Sequence, residues 1–331
     1  MNVFRTTIVI PLYNRERFIR STLRSAIDQT FPAEEIIVID DGSTDSGPSI
    51  VAREFPGVKL VRIENNGSGP CRPRNVGVEL ARTEWITTLD SDDILQPHCL
   101  ERQRLAFAHW PDAGLISTNF FRDYGDGVLV ENNSFLLRSC ARDVAERTLC
   151  RVIAEEAYST MCRGNFLTGS ANSFRKATWE AVGRWDESLS TSNDFDLFMR
   201  ILRRCDLLYV DEPLFTYVFH EENISAANRN PGFKPVRSLN KIRVLAREAE
   251  HAVKAGDKQS LRAEIGRRSL ELAWGYREYG DYWQAIRWYG RAFQFKGVRR
   301  ATLRGLSGVP WRWLRGRWRA GGGEGQGQRA L

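Results

Sequence analysis

Two short apolar runs that end directly on aspartates constrain the fold of this chain most. Residues 36–39 run into Asp40-Asp41-Gly42-Ser43, and residues 85–89 run into Asp90-Ser91-Asp92-Asp93. Each run has the length of a buried strand rather than a helix. Similar runs at 6–12 and 58–63 alternate with segments of helical period. Residues 15–29 gather Phe18, Ile19, Leu23, Ala26 and Ile27 on one face, and 43–55 and 73–81 also read as helices. Strands alternating with helices at this spacing predict an α/β fold: a doubly wound, mainly parallel sheet with helices on both faces. Such sheets bind ligands beyond the carboxyl ends of their strands, so Asp40, Asp41, Asp90, Asp92 and Asp93 are expected at one edge.

Farther along, 120–165 shows no clear period and is expected to hold helices and loops facing a second substrate. A strand at 167–174, helices at 176–182 and 194–204, and short strands at 207–210 and 214–219 follow. After about residue 230 the pattern is wholly helical. Its clearest unit, 273–293, spaces Tyr276, Gly280, Tyr282, Ala285, Tyr289 and Ala292 like one helical-hairpin repeat, although a free-standing array takes about three. The expected division is a ligand-binding and catalytic domain at 1–228, a helical region at 229–296 and a basic tail at 297–331.

The formal charge of +7 belongs to that tail, where eight Arg face the single acid Glu324; the first 296 residues are balanced at 40 basic and 40 acidic. Arg alternates there with Trp311, Trp313, Leu314 and Trp318, a pattern suited to an anionic membrane surface; nucleic acid and a helix docked on its neighbours are the alternatives. Six Cys are scattered without metal-site spacing and read as free thiols. No run approaches the length of a membrane span, and the start lacks a secretory pattern. The expected location is cytoplasmic, peripheral on the inner face of the membrane if the tail attaches there.

Asp90-Ser91-Asp92-Asp93 places three carboxylates in four residues at a strand end, enough to anchor a hard cation such as Mg²⁺ or Mn²⁺ through oxygen. The plain alternative is a solvated loop, with Asp93 capping a turn before Pro97. Asp40 and Asp41 likewise have an Asx-turn reading.

The company these acids keep changes the weighing. Ile10-Pro11-Leu12-Tyr13-Asn14, Asp28-Gln29-Thr30, the run from Glu35 to Asp45, Arg74-Asn75-Val76-Gly77 and Leu89-Asp90-Ser91-Asp92-Asp93 occur in this order. Together they resemble the family-2 inverting glycosyltransferases of the GT-A fold, over roughly residues 5–225. The resemblance implies a nucleotide-sugar site of Pro11, Tyr13, Asn14, Asp40, Asp41, Arg74, Asn75, Asp90, Ser91 and Asp92. Asp41, with Asp40, would accept hydrogen bonds from the base; Pro11 and Tyr13 would shape its pocket; Arg74 would reach the diphosphate or ribose. Asp92 and Asp93 would hold the cation. His220, in a segment similar to one that closes over the donor, would join them. The base that takes the acceptor proton would be Asp194, with Asp196 as second choice; Asn193 stands where an acid is common, and a helix N-terminal role for Asp194 is the alternative.

The implied activity is transfer of a sugar, from a UDP-type donor, to a hydroxyl of a glycan or lipid-linked acceptor. Acceptor specificity is expected between Asn119 and Ser173, including Arg163-Gly164-Asn165 and Gly169-Ser170-Ala171-Asn172. A nucleotidyltransferase is the competing enzyme, but Pro11-Leu12-Tyr13-Asn14 is not a Gly-rich phosphate loop. A silent nucleotide-sugar-binding or scaffold protein is the competing non-enzyme.

Overall fold

Strand β1 (Thr6–Leu12) is buried along its whole length, as a strand with helices on both faces must be. It lies between β2 (Glu35–Asp40) and β4 (Trp85–Thr88), parallel to both, and β3 (Lys59–Arg62) extends the sheet beyond β2. Ile8, Ile10 and Leu12 pack with Ile19, Leu23 and Ala26 of α1 (Ile19–Ile27). Val9 faces the other way, against α3 (Cys71–Leu80), which comes so close that a Cβ on Gly77 would strike the Val9 side chain. Pro11 fits a central strand because the β1–β4 ladder ends at Val9 with Thr88, two residues earlier, so no N–H is required there. Helix α2 (Gly47–Glu54) follows β2. The structure, a computed structural model, describes residues 3–132, 140–221, 223 and 235–309.

The sheet continues as β4, β10 (Asn172–Arg175), β6 (Leu115–Asp123), β11 (Leu207–Val218), β9 (Leu149–Val152) and β8 (Asp143–Ala145), with β5 (Ile94–Leu95) on β11 and β7 (Leu129–Glu131) on β6. Strand β10 is antiparallel to both its neighbours, so the sheet is mixed beyond its parallel β1–β4 block. Helices α4 (Cys99–His109), α5 (Ala154–Arg163), α6 (Lys176–Val182) and α7 (Asn193–Leu202) complete this part.

Three expectations change. The stretch 120–165 holds four strands or parts of strands before α5. The strand expected at 167–174 starts only at Asn172, leaving 167–171 as a loop. The two strands expected at 207–219 are one, β11, which takes up Pro213 as an irregularity in register.

The chain divides into two compact units, 1–231 and 232–331. In the second, α8 (Pro235–His251), α9 (Ala255–Glu278), α10 (Tyr282–Phe293) and α11 (Arg299–Ser307) follow one another. A turn at Gly280, φ 78°, joins α9 to α10, and Asp281 caps α10 by accepting from the Gln284 N–H at 3.1 Å. Leu270, Ala273, Ala285, Tyr289 and Ala292 form this unit's own core. Trp311, Trp313, Leu314 and Trp318 of the tail, and residues 224–234, lie outside the described residues. Among those described, no helix is long and apolar enough to cross a membrane.

Candidate active site

The ends of β1 and β2 are tied into one loop system. Asn14 takes a left-handed φ of 49°, which lets its side-chain oxygen accept from the Thr44 N–H at 2.8 Å while its own N–H donates to Ser43 Oγ at 3.0 Å. Asp40 accepts from the Ser43 N–H at 2.9 Å, so the Asx-turn reading holds for Asp40. Asp41 differs. Its N–H donates to the Leu12 carbonyl at 2.8 Å and its Oδ2 accepts from Asn65 at 3.1 Å, but its Oδ1 is buried without a partner among the described residues. Burial pushes the Asp41 carboxyl up to about 6, against the pull of Arg72. Tyr13, half exposed, stands beside this loop in the chain.

At the end of β4 the acids are divided between two cationic partners. Arg74, fully buried on α3, bridges Asp90 and Asp194, donating to Asp194 Oδ1 at 2.6 Å. The same guanidinium donates to Asn193 Oδ1 at 3.1 Å and lies 5.7 Å from the Trp185 ring. Asn193 thus keeps a hydrogen bond to Arg74 where an acid would bring a third carboxylate. Burial opposes the Arg74 charge, but Asp194 and Asp90 outweigh it and raise its pKa further. Asp194 receives both Arg74 and the Trp185 indole N–H on Oδ1; Oδ2 makes neither bond.

Asp92 Oδ2 accepts from Arg15 Nε at 3.1 Å and stands 3.0 Å from His220 Nε2. Burial would raise the Asp92 carboxyl, yet the His220 hydrogen bond and the Arg15 charge hold it below its ordinary value. The His220 ring stacks on Phe18, centroids 4.3 Å apart, and its Nδ1 is buried without a hydrogen-bond partner among the described residues. Asp93 is spent on architecture: its oxygens accept from Ser170 Oγ at 2.6 Å and from the Val218 N–H at 3.2 Å, fixing the loop to β11. Burial, with Asp92 and Asp90 adding repulsion, puts the Asp93 carboxyl well above the carboxylate range.

Several expected residues therefore take other places. Asp196 is fully buried and paired at 2.7 Å with Arg200, which also donates to the carbonyls of Val182, Gly183 and Arg184; it cannot meet an acceptor. Asn75 uses both ends of its amide to pin the Trp185 backbone and Glu187. Ser91 is buried, its carbonyl accepting from Thr22 Oγ1 at 3.0 Å. Gly169 and Ser170, expected near the acceptor, lock the acidic loop: a Cβ on Gly169 would strike Asp90 and Arg74. Arg15 carries no signal in the sequence, because 15–29 reads as one helix from Arg15 onward, whereas α1 starts at Ile19 and Arg15 sits in the turn before it.

A divalent cation fits this donor set in part. Asp92 Oδ2 and His220 Nε2 are a carboxylate oxygen and an imidazole nitrogen, donors of the kind such an ion accepts, and here they share a hydrogen bond at 3.0 Å. Among the described residues no group of three or more His, Cys, Asp or Glu converges as a cage.

Known proteins bear out this architecture. In the solved structure of Staphylococcus aureus TarS 1–349 in complex with UDP-GlcNAc the same fold recurs, with a TM-score of 0.66 and 20% identity over 93% of this chain and 82% of that one. An uncharacterized glycosyltransferase of Haemophilus influenzae is 36% identical over 105 residues, 31% of this chain and 42% of that protein. The chondroitin synthase of Escherichia coli is 26% identical over 223 residues, 66% of this chain and 29% of that protein. This chain thus spans less than half the length of the curated relatives it matches. The family model of glycosyl transferase family 2 matches residues 7–156, and that of glycosyl transferase family group 2 matches residues 85–315, more than half of the chain. With the GT-A architecture beneath those matches, the chain belongs to the family-2 glycosyltransferases.

Proposed function

We propose that this protein transfers a sugar, with inversion, from a UDP-sugar to a hydroxyl of a glycan or lipid-linked acceptor. The observation that carries the reading is the unpartnered Asp41 Oδ1 at the same sheet edge as Asp92–His220 and the Arg74-held Asp194. A buried carboxylate oxygen without a donor fits a base N–H, and a uracil ring offers one. Similarity in fold to a protein solved with UDP-GlcNAc supports the same donor class.

In this reading Tyr13 and Asp41 bind the base, and Asp92 with His220 holds Mg²⁺ or Mn²⁺, which when bound offsets the charge of the leaving diphosphate. Asp93 positions the acidic loop. Asp194 Oδ2 takes the acceptor proton as the acceptor oxygen forms its bond to the anomeric carbon. The bond from that carbon to the diphosphate breaks on the opposite face, and UDP departs. Arg74 fixes Asp194 through Oδ1 so that the other oxygen meets the hydroxyl.

The test is calorimetric binding of UDP, UDP-GlcNAc and a panel of other nucleotide sugars with Mn²⁺ or Mg²⁺, followed by mass analysis for donor turnover. Uridine nucleotides should bind with metal present; binding of no nucleotide under any of these conditions sinks the reading. The basic tail would hold the protein on the inner face of the membrane, supported by exposed Leu303 flanked by Arg299, Arg300 and Arg304 on α11. Flotation with anionic liposomes, with and without residues 297–331, checks this; equal recovery of both forms contradicts it.

A further inference from the structure

We infer that Arg15 couples nucleotide binding to cation binding, its guanidinium neutralising Asp92 until a diphosphate draws it away. The inference rests on the donor-and-cation reading of the site. Arg15 Nε and His220 Nε2 share one oxygen, Asp92 Oδ2, at 3.1 and 3.0 Å. A divalent ion seated on Asp92 and His220 would therefore lie beside the positive charge of Arg15. The other end of the same guanidinium leads to the nucleotide loop: Nη1 donates to the Asn14 carbonyl at 3.0 Å, and the Asn14 side chain holds Thr44, three residues past Asp41. Arg15 thus spans the base-reading loop and the cation carboxylate.

The incomplete ligand set gives this position its consequence. With no cage of three or more protein ligands among the described residues, an ion draws its remaining oxygens from the diphosphate. Diphosphate oxygens also compete for a guanidinium, which they bind in bidentate fashion. Arrival of the donor moves Arg15 onto phosphate and frees Asp92 for the cation in the same event. Without nucleotide, Arg15 opposes the cation. Such coupling is reciprocal, so each ligand raises the affinity for the other by the same factor.

The experiment is calorimetry on the whole chain with Mn²⁺ alone, UDP alone, and each in the presence of the other, for wild type, Arg15→Gln and Arg15→Lys. Wild type should bind Mn²⁺ alone weakly and far more tightly with UDP. Removing a charge this near a divalent ion should tighten binding of Mn²⁺ alone by about tenfold or more in Arg15→Gln, weaken UDP alone, and shrink the UDP enhancement. Arg15→Lys keeps the charge and should bind Mn²⁺ alone as weakly as wild type. If Arg15→Gln melts below the assay temperature, Arg15→Met removes the charge at similar length and is read on the same scale. An uncharged variant no tighter than wild type for Mn²⁺ alone overturns the inference. A wild type that binds no UDP with Mn²⁺ present removes the underlying reading instead.

Discussion

At the scale of single residues, the site separates carboxylates that hold the protein together from carboxylates left with an oxygen to offer. Asp93 gives both oxygens to Ser170 and Val218, and Asp40 and Asp196 are ion-paired with Arg62 and Arg200, whereas Asp41 keeps a buried Oδ1 without a partner among the described residues and the bonds to Asp92 and Asp194 fall on one oxygen of each. Asp194→Asn should lower transfer by about 10²–10⁴-fold with UDP affinity unchanged, read by steady-state rates beside calorimetry. An active variant would move the role elsewhere. Asp41 titrates near 6 in the folded protein, raised from its ordinary value near 3.8. Its folded pKa is the higher one, so the linked stability is present below about 3.8 and lost as pH rises through 6. Wild type should therefore lose melting temperature relative to Asp41→Asn between pH 4 and 7. Binding runs the other way, because the base N–H needs the ionised form: UDP affinity should fall about tenfold for each unit below pH 6. A flat profile would remove Asp41 from base recognition.

Elements place these residues by close approach. Arg74 reaches Asp90 and Asp194 only because α3 lies tight on β1, where Gly77 leaves room for Val9. Gly77→Ala should cost about 1–3 kcal/mol in urea unfolding and misplace Arg74. A variant as stable as wild type would show that α3 has room to move. Gly169→Ala should act at the same ion pair from the other side, reducing transfer more than UDP binding, since the Asp41 loop is untouched. The strand ends and helix starts that carry the acids were legible in the sequence, because apolar runs stopping on aspartates need no tertiary knowledge. The Gly169–Ser170 loop was not, because its polar, small residues read equally as a cleft wall and as a brace.

For the whole molecule, the described residues of the candidate donor and cation site all fall within 1–231, and the second unit has its own core. Scanning calorimetry should show two transitions, of which UDP with Mn²⁺ raises only one. A single transition shifted as a whole would show that the units unfold together. The sequence by itself determined the α/β alternation, the ordered blocks of the family and the sheet edge at which the acids gather. These follow from local periodicity and from residues adjacent in the chain. Only the tertiary structure decided which acid does what. Asp93 and Asp196 are consumed by partners 77 and four residues away, Ser170 and Arg200. Arg15 meets Asp92 across 77 residues. The Asp196–Arg200 pair, four residues apart on one helix, could be read from chain order; whether Asp93 or Asp92 is free to act depends on donors the fold brings from 77 residues away, and chain order carries no record of those.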